Sequence, residues 1–107
     1  MAFHATTRWG ADESEPQAVR LREILDQLDA VGPEHPCVSL THESEWCLSA
    51  FTSGLLVWEN VEVGDPRYMK NVTLDRVLEL WIRLSKGFIA EIETEPWMPG
   101  DGDPSRT

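Results

Sequence analysis

Between Val38 and Ala50 apolar and polar residues alternate one for one. Val38, Leu40, Trp46, Leu48 and Ala50 fall on one side, and Cys37, Ser39, Thr41, Cys47 and Ser49 on the other. Laid on a helix, this pattern would scatter its apolar groups around the whole circumference. On a strand it gathers them on a single face. His42-Glu43-Ser44 interrupts the alternation, and Thr52-Ser53-Gly54 interrupts it again before the run from Leu55 to Val61. Two short breaks of this kind predict two hairpins, with Gly54 where such a loop wants a left-handed residue. Pairing Thr41 with Glu45 sets Leu40 opposite Trp46 and Val38 opposite Leu48. Pairing Phe51 with Leu55 sets Ala50 opposite Leu56 and Leu48 opposite Trp58. One face then reads Val38, Leu40, Trp46, Leu48, Ala50, Leu56, Trp58, and a one-residue slip would leave large apolar groups wet. The expectation is a three-stranded antiparallel meander. Its second face, from Cys37 to Glu59 and including Phe51, Leu55 and Val57, is mixed.

Helical spacing flanks the meander. Ser14-Glu15-Pro16-Gln17 has the form of a capping box, and Leu21, Ile24, Leu25 and Leu28 follow at helical intervals until Gly32-Pro33. This predicts a helix over 15–30. The connector from Glu62 to Asn71 contains the turn signal Gly64-Asp65-Pro66. Thr73 then caps an apolar stripe of Leu74, Val77, Leu78, Trp81 and Leu84 that stops at Gly87, predicting a helix over 74–86. Residues 88–93 fit a fourth strand through Phe88, Ala90 and Ile92, and also a short helix through Phe88, Ile89 and Ile92; the strand is favoured. The fold class is therefore α+β, in the order α-β-β-β-α-(β), with two amphipathic helices on one sheet face. A chain of 107 residues makes about one domain. That domain is expected over 14–99, with an N-terminal segment at 1–13 and an acidic tail at 100–107.

Nineteen acidic against nine basic residues give a net charge of −10. Such a chain repels phosphate backbones and anionic membrane surfaces, which argues against nucleic-acid and membrane partners. No stretch approaches the roughly 18 apolar residues of a membrane-spanning helix. The start of the sequence lacks the basic-then-apolar pattern of an export signal, so the expected compartment is the cytoplasm. There Cys37 and Cys47 are expected as thiols, offset diagonally on neighbouring strands. The charge favours a basic protein partner and would speed that encounter.

Signatures of chemistry are sparse. His35, Cys37, His42 and Cys47 are ligand types, but neither C-x-x-C nor H-x-x-x-H spacing is present, so no metal is expected. His42, Glu43, Ser44 and Glu45 supply the residue types of nucleophilic catalysis within one turn, where adjacent side chains rarely converge on a substrate. No cofactor-binding glycine loop occurs, and no catalytic residue is assigned. Glu59, Glu62 and Asp65 read as an acidic rim that discourages sheet-to-sheet pairing. Of five tryptophans, Trp46, Trp58 and Trp81 fall on core faces, while Trp9 and Trp97 fall outside the periodic elements. Trp97, between prolines, either folds back on the domain as a lid, the commoner outcome, or stays exposed as an anchor. The residues expected to contact a partner are Glu43, Glu45, Glu59, Glu62 and Asp65, with Trp97 in that second role.

From Val38 through Trp97, about 60 of the 107 residues, the chain resembles the small acidic α+β immunity proteins of bacterial polymorphic-toxin systems. The order helix, meander, helix, the tryptophans in the strands and the acidic surface carry the resemblance. It implies a protein that binds and blocks a cognate toxin domain, often a basic nuclease, without chemistry of its own. No motif aligns a particular residue with that role. Two other readings stand beside it. One is an adaptor module that self-associates as a symmetric dimer through the face bearing Phe51, Leu55 and Val57. The other is a small enzyme or ligand-binding protein with a Trp-lined cleft beside Glu59, His42 or the thiols.

Overall fold

The computed structural model describes residues 2–7, 9–29, 37–52 and 54–100. Strands β1 (Phe3–Thr6), β2 (Asp12–Ser14), β3 (Cys37–His42), β4 (Trp46–Phe51), β5 (Leu56–Asn60), β6 (Gly64–Met69) and β7 (Met98–Pro99) form one antiparallel sheet in the order β2-β1-β3-β4-β5-β6-β7. The alternating run from Val38 to Asn60 is its centre. The fold is α+β, but the sheet has seven strands where three or four were expected.

The extra strands come from segments with weak periodicity. Residues expected to stand before the domain form the first hairpin. Ala5 pairs with Leu40 and Phe3 with His42, and Ala5 and Thr7 are buried. The connector expected at 62–71 supplies β6. Its Asp65-Pro66 pair occupies a bulge, since Trp58 pairs with Arg67 but Asn60 with Gly64. A bulge tolerates a residue that cannot donate to the ladder, which is why proline survives inside this strand.

The second hairpin has the predicted register, with Ala50 opposite Leu56 and Leu48 opposite Trp58. The first is shifted by two residues: Leu40 pairs with Leu48, not Trp46, and Val38 with Ala50. Strand β3 runs on through His42, whose side chain is 5% exposed and whose Nδ1 accepts the Ser44 N–H at 3.1 Å. The turn is therefore Glu43-Ser44-Glu45, with Glu45 in the left-handed region at φ 74°. An even shift preserves the faces, so the apolar set still points to one side. The same register separates the thiols. Cys37 lies opposite Phe51 and Cys47 opposite Thr41, which places the two cysteines roughly 13 Å apart along the strands, well beyond disulfide reach. The expected diagonal approach is not found, and the Cys47 sulfur instead accepts the Thr41 hydroxyl at 3.4 Å.

Helix α1 spans Ala18–Asp26 and continues as a 3-10 turn over Gln27–Asp29. It starts later than predicted because Ser14 belongs to β2, opposite His4, and cannot cap it. Glu15 turns the chain at φ 46°, and Gln17 is the N-cap without a side-chain bond. The Gly32-Pro33 stop lies outside the described residues. Helix α2, Leu74–Ser85, matches its prediction, and the Thr73 hydroxyl accepts the Arg76 N–H at 3.2 Å. Residues 89–93 are a helix, α3 (Ile89–Glu93), not a strand. Gly87, at φ 79°, turns the chain out of α2. The helical spacing seats Ile89 and Ile92 against the core, while Phe88 and Ala90, which a strand would bury, are exposed.

The buried residues of all three helices share one core with the inner sheet face. Leu21, Ile24 and Leu25 of α1 and Val77, Leu80, Trp81 and Leu84 of α2 meet Leu40, Leu48, Leu56 and Trp58. Full burial of each such side chain is worth about 1.5–3 kcal/mol. The Trp81 indole N–H donates to the Leu48 carbonyl at 3.2 Å, and Arg22 of α1 bonds Asp75 of α2.

Candidate functional site

In a run of antiparallel strands, alternate turns lie at the same end of the sheet. The β3–β4 turn (43–45) and the β5–β6 turn (61–63) are such a pair, and they are bonded to each other. The Val61 N–H donates to the Glu45 carbonyl at 2.8 Å. Asn60 closes the assembly: its Oδ1 accepts the N–H groups of Glu62 and Val63 at 3.0 and 3.2 Å, and its Nδ2 donates to the Ser44 carbonyl at 3.4 Å. The start of β1 joins from the other side, with the Glu43 N–H donating to the Ala2 carbonyl at 2.9 Å. An amide at the end of a strand's buried face needs partners, and here it spends them on ordering a turn.

These bonds bring most of the expected contact residues together. Glu43, Glu45 and Glu62 are exposed on the two turns, and exposed Asp65 follows in the bulge. Glu59 is half-buried and sits on the outer sheet face opposite Cys47, beside the turns and not on them. Three further residues belong to this end. Glu15 lines a cavity of about 340 Å³ with Glu43 and Glu45. Val61 and Val63, 54% and 79% exposed, stand among the acids. The sequence signal for the valines was two apolar residues inside an acidic turn, with no strand partner to bury them.

None of these six carboxylates forms an ion pair among the described residues. The ion pairs employ other acids: Glu13 and Glu23 with Arg20, Asp26 and Asp75 with Arg22, Glu79 and Glu95 with Arg76, and Glu93 with Arg67. The carboxylates at this end thus lack a cationic partner among the described residues, and Glu43 Oε2 instead accepts the Ala2 N–H at 3.2 Å. His42 borders the cavity shared by Glu15, Glu43 and Glu45. Its ring is buried, with Nδ1 engaged by Ser44. Among the described residues no group of three or more His, Cys, Asp or Glu is placed to hold a metal ion, and His35 lies outside them.

Trp97 is not at this end. Met98 pairs with Tyr68, so Trp97 lies toward Met69, away from Gly64 and the acidic turns. It is half-buried, its indole N–H donates to the Ile92 carbonyl at 2.8 Å, and its ring stacks on Trp58 at 6.1 Å. Trp58 stacks in turn on Trp46 at 4.4 Å, and the Arg67 guanidinium lies 5.8 Å from the Trp46 ring. The Glu93 carboxylate binds Arg67 at 2.9 and 3.2 Å and accepts the Trp58 indole N–H at 3.2 Å. The Arg67 bonds, and to a lesser degree that indole, hold the Glu93 carboxyl below its ordinary range. Trp97 is therefore part of the packing that fixes α3 and β7 to the sheet.

No protein-family model, curated protein or solved structure matches the chain. Among the described residues no helix is long and apolar enough to cross a membrane.

Proposed function

We propose that this chain is a protein-binding domain that carries out no chemistry of its own, and that it acts in the cytoplasm by covering the working surface of a basic protein partner, as an immunity-type inhibitor does. The observation that carries the reading is the joined pair of turns, which presents Glu43, Glu45, Glu62 and Asp65 around the exposed Val61 and Val63. Interface centres are apolar and their rims polar. Here the valines supply apolar contact, and the carboxylates, which form no ion pair among the described residues, supply steering and register. Asn60 and the Val61–Glu45 bond pre-order both turns, which lowers the entropy lost on binding.

The test is capture from a lysate of the native source at low salt. The bait is either the wild-type chain or a variant with Glu43→Lys, Glu62→Lys and Asp65→Lys, all exposed positions. A basic protein retained stoichiometrically by the wild type, released by salt and lost with the variant supports the proposal. Equal retention by both baits, or no stoichiometric partner, contradicts it.

A further inference from the structure

We propose that the outer face of the sheet is a self-association surface, covered by a second copy of this chain. The buried residues of α1, α2 and α3 all belong to the core on the inner face. On the outer face the register sets Val57 between Ser49 and Tyr68, and Tyr68 opposite Met98. Phe51 and Leu55 close the β4–β5 hairpin on the same face. These side chains grade from buried Val57 to Met98 at 53% exposed.

Charge selects the occupant. A basic partner is drawn to the acidic turns, whereas this face carries one charge of each sign along β5 and its neighbour. Glu59 stands near the turn end, opposite Cys47. Lys70 stands at the other end, with its ammonium 5.8 Å from the Tyr68 ring. A two-fold contact must be self-complementary; the Glu59–Lys70 pair is, while Asp12, at the far edge of the same row, meets its own copy. An axis crossing the strands at the row of Ser49, Val57 and Tyr68 lays Lys70 of each copy toward Glu59 of its mate. Two sheets stack in this way at about 10 Å. The acidic turns stay outside the contact, so this proposal and the proposed function fail separately.

Sedimentation velocity from micromolar to near-millimolar concentration tests it. The wild-type chain is expected to show a concentration-dependent monomer–dimer equilibrium. Lys70→Glu, at an exposed position, is expected to weaken the dimer about tenfold, since two symmetric ion pairs become two repulsions. Adding Glu59→Lys to that variant is expected to restore most of the loss. Reversal of Glu43, Glu62 and Asp65 is expected to leave the equilibrium in place. A monomer at every concentration, a dimer indifferent to Lys70→Glu, or a double variant no better than the single one overturns the proposal.

Discussion

The main-chain N–H of Val61 donates to the carbonyl oxygen of Glu45 at 2.8 Å, and this bond makes one surface of two turns sixteen residues apart in sequence. With the Asn60 side chain, which bonds Ser44 on one turn and Glu62 and Val63 on the other, it ties Glu43 and Glu45 to Glu62. The account of function rests on their being held together.

Asn60 is the side chain that maintains this arrangement. Asn60→Ala removes an acceptor for two N–H groups and a donor to the Ser44 carbonyl. The expected cost is about 1–2 kcal/mol of stability, with no change in net charge. Faster amide exchange at Glu62 and Val63 is expected, together with weaker partner binding. Unchanged exchange at those amides would show that the turn holds without its side-chain bonds.

Glu45 offers the opposite combination. It occupies the left-handed region at φ 74°, where most side chains are strained and asparagine is better tolerated. Glu45→Asn is expected to hold or raise stability by up to about 1 kcal/mol while weakening partner binding through loss of a carboxylate. Urea unfolding and a binding titration on the same variant check both signs.

Trp97 is expected to matter for stability and not for partner contact. Trp97→Ala loses the stack on Trp58 and the bond to the Ile92 carbonyl. The expected cost is about 3 kcal/mol, with Trp97→Phe recovering part of it. Binding measured below the unfolding transition should be unchanged in both. A large binding loss in a fully folded Trp97→Phe variant would return Trp97 to the contact surface.

The Glu93–Arg67 pair gives the stability a defined pH dependence. The folded chain holds the Glu93 carboxyl below its usual value of 4.5, chiefly through the Arg67 hydrogen bonds. A carboxyl whose value is lowered by folding stabilises the fold above its unfolded value, and that contribution disappears as pH falls through the folded value. The melting temperature of the wild type should therefore exceed that of Glu93→Gln at neutral pH, and the gap should narrow as pH is lowered below about 4.5. A gap that stays constant with pH would assign the effect to packing alone.

The central meander was legible because Val38 to Ala50 alternates with a period of two on either side of its turn, and a register error of an even number leaves that face intact. The β1–β2 hairpin was not, because Phe3, Ala5 and Thr7 alternate too briefly, and Ala5 and Thr7 are too small and too weakly apolar to stand out. Strand β6 was hidden by Gly64-Asp65-Pro66, which reads locally as a turn. Only the pairing with β5 shows that Pro66 sits in a bulge. Helix α3 was read as a strand because both periods fit residues 88–93; Gly87 and the seating of Ile89 rather than Ala90 against the core decide for the helix. The acidic contact residues were visible one by one. Their convergence was not, because the strand that brings Glu62 and Asp65 back beside Glu45 was read as a connector. Trp97 misled because a tryptophan between prolines looks unanchored until the Ile92 carbonyl is placed beneath it.

The most direct measurement of the central claim is the association rate of the captured basic partner as a function of ionic strength, for the wild type and for the chain with Glu43, Glu62 and Asp65 reversed to lysine. Steered encounters slow steeply as salt shortens the screening length. The account predicts a rate that falls with salt for the wild type, and a slower, nearly salt-independent rate for the variant. A wild-type rate indifferent to salt, or the same salt dependence in both chains, would contradict it.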